Sequence, residues 1–180
     1  MPVDESAIAT WANVVTVTRV LASPFLFAIL PSDSRGSWVA FVVWIVLCSS
    51  DGVDGYLARR HGTTKSGAFL DPLADKILIL GAMFTLVSRG IFWLLPVSII
   101  AGREILISVY RVVVGARGVS VPASKLAKWK TLFQQLAVAF AIAPMTTTDA
   151  TWLWLSLLWA AVVLTAITGA QYAYHAVKGR

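Results

Sequence analysis

Four aspartates lie close together in an otherwise strongly apolar chain and are the side chains best suited to chemistry. They are Asp51, Asp54, Asp71 and Asp75, nearly half of the nine acidic residues. A carboxylate next to hydrocarbon loses its hydration unless a cation, a hydrogen-bond donor or water replaces it, and neighbouring carboxylates repel one another. Oxygen ligands without histidine or thiolate favour Mg2+ or Mn2+, and four carboxylates suit two such ions better than one. The pattern therefore predicts a divalent-cation site and suggests phosphate chemistry.

Small residues and one arginine accompany these acids. Gly55, Ala58 and Gly67 leave room on the helix faces that a planar base or a pyrophosphate would approach. Arg59 offers a planar fork of N–H donors to phosphate oxygens. Close packing of membrane helices through small residues is the alternative interpretation, and it explains the small residues but not the acids.

Two helices are needed to bring the acids together. Asp51 and Asp54 are three residues apart and share a face if the second helix continues beyond them. Asp71 and Asp75 are four residues apart and share a face of the third helix. A short loop over residues 61–66 would join the two helices as an antiparallel hairpin, so that both pairs of acids converge at its mouth.

The composition excludes a soluble globular domain. Hydrophobic residues make up 58% of the 180 residues and charged residues 13%, and the mean hydropathy is +0.76. We predict an all-α integral membrane protein with six transmembrane helices in one membrane-embedded catalytic domain, residues 1–180. The first apolar segment follows two acids and lacks a small-residue cleavage site, so we expect it to remain in the mature protein. The six predicted segments are residues 10–30, 36–58, 68–88, 91–114, 126–144 and 151–175.

Lysine and arginine predict the orientation in the membrane. They concentrate in the connection after the second segment, in the connection after the fourth and at the carboxyl terminus, whereas the alternate connections hold only Arg35 and Arg89. Because positive loops stay on the cytoplasmic side, we expect both termini and the acidic motif to face the cytoplasm. The net charge of +6 then reflects topology and anionic lipid headgroups, and we expect no nucleic-acid partner.

The acidic stretch resembles the signature of the CDP-alcohol phosphotransferase family, DxxDGxxAR…GxxxDxxxD. The chain reads DGVDGYLAR from Asp51 to Arg59 and GAFLDPLAD from Gly67 to Asp75, so every fixed position is filled. The resemblance covers essentially the whole chain, and it implies the family's six-helix fold and a homodimer. It also implies catalysis in which an alcohol attacks the phosphorus of a CDP-linked alcohol and releases CMP.

The same resemblance implies a role for each residue of the signature. The four aspartates would hold the divalent ions, and Asp75 would also take the proton from the incoming hydroxyl group. The CDP-donor pocket would be lined by Gly55, Ala58, Arg59 and Gly67. Phosphoryl transfer needs positioned oxygens and neutralised charge more than covalent help from the protein, which agrees with these roles.

Four segments resemble the family members that transfer a phosphatidyl group from CDP-diacylglycerol to sn-glycerol 3-phosphate. The resemblance implies phosphatidylglycerophosphate and CMP as products. The segments are GAFLDPLADK from Gly67 to Lys76, AGREILISVYR from Ala101 to Arg111, KLAKWKT from Lys125 to Thr131 and NVVTVTR from Asn13 to Arg19.

Cations in these segments could form an acceptor-phosphate site. Arg103 and Arg111 are eight residues apart, about two helical turns, so they can point at one cavity. Lys128 and Lys130 begin the next helix, and a phosphorylated acceptor needs such a cationic pocket. Ordinary positive-inside charge is the alternative for the lysines, but Arg103 lies deeper in an apolar segment. Glu104 is expected to pair with a neighbouring base.

Other functions stay open on the sequence alone. Within the family, the acceptor could be an inositol phosphate, or phosphatidylglycerol, which would give cardiolipin. A cation-coupled transporter is a different class, but it lacks support because the acids cluster at one face and no internal repeat is evident. A catalytically silent scaffold would be expected to have lost at least one of the acids.

Overall fold

The computed structural model describes residues 11–33, 35–61, 65–115, 125–146 and 150–178, with side chains over 14–33, 35–50, 72–115, 126–146 and 150–174. All the regular secondary structure in these ranges is helical, which confirms the predicted all-α class for the described part of the chain. The helices are α1 (Trp11–Ile29), α2 (Trp38–His61), α3 (Lys65–Ser88), α4 (Leu94–Gly115), α5 (Lys125–Ile142) and α6 (Thr151–Lys178).

Each of these helices overlaps one predicted apolar segment. The helix α2 ends at His61, so it continues past the first two aspartates of the signature as the predicted hairpin requires. The helix α3 begins at Lys65, three residues before the predicted start at 68, and α6 ends at Lys178, three residues beyond the prediction. The ends differ because hydropathy marks the apolar part of a helix, whereas polar residues extend the helix beyond it.

Two groups of helices build the core. The helix α1 packs against α2 and α3, while α6 packs against α4 and α5, and further contacts join α2 to α5 and α3 to α4. Gly81 lets α3 approach α1 closely, since a Cβ atom there would clash with the Phe27 ring. Trp44 is fully buried and donates from Nε1 to the Gln135 carbonyl oxygen at 3.1 Å, which ties α2 to α5.

The outer surface carries many large apolar side chains. Leu21, Leu106 and Trp152 are 73%, 71% and 67% exposed, an arrangement typical of a surface that meets lipid or a partner. Within the described ranges one helical stretch, Thr151–Tyr174, is long and apolar enough to cross a membrane by length and composition. The helices α1 and α2 contribute shorter apolar stretches. Six transmembrane spans therefore stay a prediction.

Candidate active site

The helices α3, α4, α5 and α6 surround a cavity of about 610 Å³, called here the basic cavity. Five of its lining side chains are cationic and two are carboxylates, a formal surplus of three positive charges. Such a surplus suits a ligand with more than one negative charge. The charged lining residues are Asp75, Lys76, Arg103, Glu104, Arg111, Lys128 and Lys130.

The signature occupies the end of α2 and the beginning of α3. Five of its residues lie on the last turns of α2 and three lie on the first half of α3, joined through residues 62–64. Asp75 is the signature residue whose side chain is described. The positions whose side chains lie outside the described residues are Asp51, Asp54, Gly55, Ala58, Arg59, Gly67 and Asp71. Their predicted roles stay predictions.

Asp75 is held by an arginine that the sequence analysis did not place in the site. Arg19 on α1 is 1% exposed, and its Nη1 atom donates to Asp75 Oδ1 at 2.9 Å. Its Nε atom donates to Ser50 Oγ at 3.1 Å, immediately before the first aspartate of the signature. Arg19 thus links α1 to both signature helices. A charged residue within an apolar helix is the signal that could have identified it.

Glu104 joins α4 to α5 inside the basic cavity. Its Oε1 atom accepts a hydrogen bond from Arg103 Nη1 at 3.1 Å and also pairs with Lys130 Nζ. Glu104 is 8% exposed and Lys130 is 3% exposed, so the pair is largely removed from water. The expectation that Glu104 pairs with a neighbouring base is confirmed, and the partners are two cations from two helices.

Arg103 has donor capacity that the described residues do not use. Its Nε and Nη2 atoms are buried without a hydrogen-bond partner in the described part of the chain. The guanidinium lies 5.4 Å from the centre of the Tyr172 ring, a cation–π distance. Buried cationic donors without an acceptor are costly, because they have lost water without gaining a replacement. Their position in the cavity wall points to an anionic ligand.

The remaining two predicted phosphate-binding residues also line the basic cavity. Arg111 is partly buried on α4, and Lys128 is exposed near the start of α5. The structure therefore places all four predicted phosphate-binding residues in the lining of the cavity that Asp75 also lines. They are Arg103, Arg111, Lys128 and Lys130. Their phosphate-binding role stays a prediction, although their shared location is what that role requires.

Comparison with known proteins defines the class. The family model for CDP-alcohol phosphatidyltransferase matches residues 9–167, and the chain belongs to that family. Proteins of this family are membrane-associated and generally use divalent metal ions.

Several curated relatives are similar over most of their length. A protein from Cereibacter sphaeroides named CDP-diacylglycerol–glycerol-3-phosphate 3-phosphatidyltransferase is 34% identical, over 89% of this chain and 92% of its own. A probable phosphatidylglycerophosphate synthase from Mycobacterium tuberculosis strain H37Rv is 36% identical, over 95% and 83%. A Rickettsia bellii protein with the same name as the first is 33% identical, over 96% of both chains.

The described part of the site contributes one carboxylate to the predicted divalent-cation site. The Asp75 side chain is 29% exposed and lines the basic cavity, so one carboxylate of the predicted set borders space that a ligand can enter. Carboxylate oxygens are the ligands that Mg2+ and Mn2+ prefer. No group of three or more candidate metal ligands occurs among the described residues, and the side chains of the other three aspartates lie outside the described part of the structure.

Proposed function

We propose that the protein transfers a phosphatidyl group from CDP-diacylglycerol to sn-glycerol 3-phosphate, giving phosphatidylglycerophosphate and CMP. One observation carries the choice of a phosphorylated acceptor: the cavity that contains Asp75 also holds five cations, among them Arg103 with two buried donor atoms that have no partner among the described residues. An acceptor needs a hydroxyl group near the base and a phosphate near the cations, and both glycerol 3-phosphate and an inositol phosphate have them. The names of the relatives support the same reaction.

Asp75 is the proposed general base. It takes the proton of the acceptor's hydroxyl group, whose oxygen attacks the phosphorus that bears the diacylglycerol. The bond from that phosphorus to the bridging oxygen of the diphosphate breaks, and CMP leaves with the electron pair. Arg19 holds Asp75 Oδ1 at 2.9 Å and so limits the positions that this carboxylate can adopt. A fixed base close to the hydroxyl group lowers the entropic cost of reaching the transition state.

The signature aspartates are proposed to hold two divalent ions, Mg2+ or Mn2+. The residues are Asp51, Asp54, Asp71 and Asp75. When bound, such ions neutralise negative charge on the phosphoryl oxygens and help to align the donor. Gly55, Ala58, Arg59 and Gly67 are proposed to receive the cytidine and diphosphate of the donor, since small residues leave room and the guanidinium pairs with phosphate.

The acceptor's phosphate is proposed to lie against the cations of the basic cavity. Arg103 contributes the two nitrogens that have no partner among the described residues, and Arg111, Lys128 and Lys130 contribute further positive charge. Glu104 pairs with two of these cations, which fixes them and lowers the surplus of charge. The charge that remains matches a phosphate monoester better than a neutral polyol such as free inositol.

The protein is proposed to lie in the cytoplasmic membrane as a homodimer, with six transmembrane helices and with both termini and the site on the cytoplasmic side. The exposed apolar side chains and the distribution of Lys and Arg support this placement. The donor's acyl chains would stay in the bilayer while its cytidine reaches the water-filled site.

Release of CMP tests the proposal directly. Purified protein in detergent receives CDP-diacylglycerol and Mg2+ or Mn2+, with glycerol 3-phosphate, an inositol phosphate, free inositol or phosphatidylglycerol in separate reactions. We expect CMP with glycerol 3-phosphate and at most a trace with the others. Release with another acceptor instead would overturn the acceptor assignment and keep the reaction class. Folded protein that is inactive with every acceptor would contradict an enzymatic function and favour a transporter or scaffold.

A further inference from the structure

Gln134 is a buried amide in the lining of the basic cavity, and the reaction proposed above does not use it. It is 2% exposed on α5, and its Nε2 atom has no hydrogen-bond partner among the described residues. A buried donor without an acceptor costs free energy, because it has lost water without gaining a replacement. In a cavity wall, a bound molecule is the natural source of the missing acceptor.

The basic cavity contains two different kinds of unused donor. Three of the described residues carry a buried side-chain atom without a hydrogen-bond partner, namely Arg103, Gln134 and Thr165. The first two line the basic cavity, whereas Thr165 does not. The charged donors of Arg103 suit a phosphate. A neutral amide both donates and accepts, so it suits a hydroxyl group, which can do the same, better than a phosphate, which mainly accepts.

The position of Gln134 along α5 relates it to the proposed phosphate ligands. Gln134 lies four residues after Lys130 and shares its face of the helix, at a rise of about 6 Å. Lys130 and Arg103 both pair with Glu104, so these two cations are held together. The terminal torsion of a glutamine side chain is soft, which lets the amide turn toward an oxygen in the cavity. A ligand whose phosphate meets the cations can therefore bring a nearby hydroxyl group to Gln134.

We infer that Gln134 binds the hydroxyl group on the second carbon of glycerol 3-phosphate and so presents the hydroxyl group on the first carbon to Asp75. This inference rests on the proposed function, which supplies the acceptor. Glycerol 3-phosphate has two hydroxyl groups, and one of them must be selected for attack. Holding the secondary hydroxyl group leaves the less hindered primary one free to reach the base. Gln134 then selects acceptors in which the attacking hydroxyl group has a hydroxyl neighbour.

The test removes the two partners of this hydrogen bond separately. The second acceptor is 3-hydroxypropyl phosphate, which keeps the phosphate, the chain and the primary hydroxyl group but lacks the secondary one. Gln134→Met keeps the approximate size of the side chain and removes the amide. Thr165→Val is the matched control, because Thr165 is also buried and without a partner in the described part of the chain but does not line the cavity. Release of CMP is measured at saturating CDP-diacylglycerol.

We expect the wild type to prefer glycerol 3-phosphate to 3-hydroxypropyl phosphate by at least about tenfold in kcat/KM. Gln134→Met should lower kcat/KM for glycerol 3-phosphate about tenfold and change that for 3-hydroxypropyl phosphate less than about twofold, so that the preference disappears. Thr165→Val should keep the preference. Equal losses with both acceptors in Gln134→Met would overturn the inference, because an amide that bound the phosphate or an ordered water would act on both alike.

Folding is checked by the Tm of each variant. An apolar side chain of similar shape in place of a buried, unpartnered polar group is neutral or stabilising, so Gln134→Met and Thr165→Val should melt no lower than the wild type. If the methionine variant does not fold, Gln134→Asn takes its place, since it withdraws the amide by one methylene group. It should lose part of the preference, and an unchanged preference would overturn the inference.

The wild type alone distinguishes failure of the inference from failure of the proposed function. Wild-type protein that uses both acceptors equally well would contradict the role of Gln134 and leave the proposed function intact. Folded wild-type protein that is inactive with both acceptors would contradict the proposed function and the inference with it.

Discussion

Asp75 and Glu104 line the same cavity and each accepts a hydrogen bond from an arginine, yet their surroundings differ. The Asp75 side chain is 29% exposed, whereas that of Glu104 is 10% exposed and pairs with two cations through one oxygen. The arginine that pairs with Asp75 is 56 residues away in sequence, whereas one cation of Glu104 is its immediate neighbour in sequence. Asp75, the more exposed carboxylate, is accessible to a substrate. Glu104, the more buried one, instead holds cations that line the same cavity.

This contrast separates two uses of an ion pair, one partly buried and one largely buried. Burying both charges costs desolvation energy, so such a pair is weak evidence for stability by itself. It does fix the geometry of its members, because breaking it leaves an uncompensated charge. Around Asp75 that restraint acts on the proposed base, and around Glu104 it acts on the proposed phosphate ligands. The two carboxylates should therefore respond differently to substitution.

The largest effect is expected from Asp75→Asn, which keeps the shape of the side chain but removes the base. We predict that CMP release falls at least about a thousandfold, within the range that general base catalysis contributes. Binding of glycerol 3-phosphate should persist, because the cations of the basic cavity are untouched. The measurement is CMP release under saturating substrates, with acceptor binding followed by calorimetry.

Asp33→Asn is the matched control for that substitution. Asp33 is exposed in the connection between α1 and α2, where its Oδ1 accepts a hydrogen bond from the Arg35 amide at 3.1 Å. We expect this variant to keep wild-type turnover. Turnover retained in Asp75→Asn would remove the base assignment and, with it, the functional contrast with Glu104.

Arg19 should give the next largest effect, because it acts on the reaction through Asp75. We predict that Arg19→Ala lowers kcat about a hundredfold, the size expected when a reacting group is misplaced by about 1 Å. Arg19→Lys keeps the charge but loses the fork that reaches both Asp75 and Ser50, so it should recover only part of the rate. The KM for glycerol 3-phosphate should change little in both variants.

A purely structural role of Arg19 predicts another result. It would lower the yield of folded protein and the Tm while leaving kcat per folded molecule unchanged. Measuring kcat against the folded fraction, with the lysine variant as the conservative partner, therefore separates positioning from folding. Unchanged kcat in folded Arg19→Ala would contradict the positioning role and leave Asp75 held by other contacts.

The comparison also shows which parts of the site could be predicted from sequence. Local runs of apolar residues predict the helices. The spacing of the arginines along α4 and the position of the lysines near the start of α5 predict that these cations share one cavity. The contact between Arg19 and Asp75 joins residues 56 apart, and that between Lys130 and Glu104 joins residues 26 apart. Such contacts depend on which helices pack together, here α1 against both α2 and α3, and no spacing within one segment specifies that.

Glu104→Gln should give the smallest of the three effects. That effect should appear in the KM for glycerol 3-phosphate rather than in kcat. The amide keeps the size and one acceptor oxygen but leaves Arg103 and Lys130 without their counter-charge. We predict that the KM for glycerol 3-phosphate rises about tenfold, because the two cations lose their fixed positions, while kcat falls less than about threefold. A tenfold change corresponds to about 1.4 kcal/mol of binding free energy. Steady-state kinetics with varied glycerol 3-phosphate measures both constants.

A double variant tests whether Glu104 acts through Lys130. If the carboxylate serves to hold that ammonium group, Lys130→Met combined with Glu104→Gln should raise the KM by less than the product of the two single effects. Multiplicative effects would mean that the two residues act independently and would contradict the positioning role of Glu104. If Glu104→Gln lowered kcat as much as Asp75→Asn does, Glu104 would take part in the chemistry. The contrast between the two carboxylates would then be wrong.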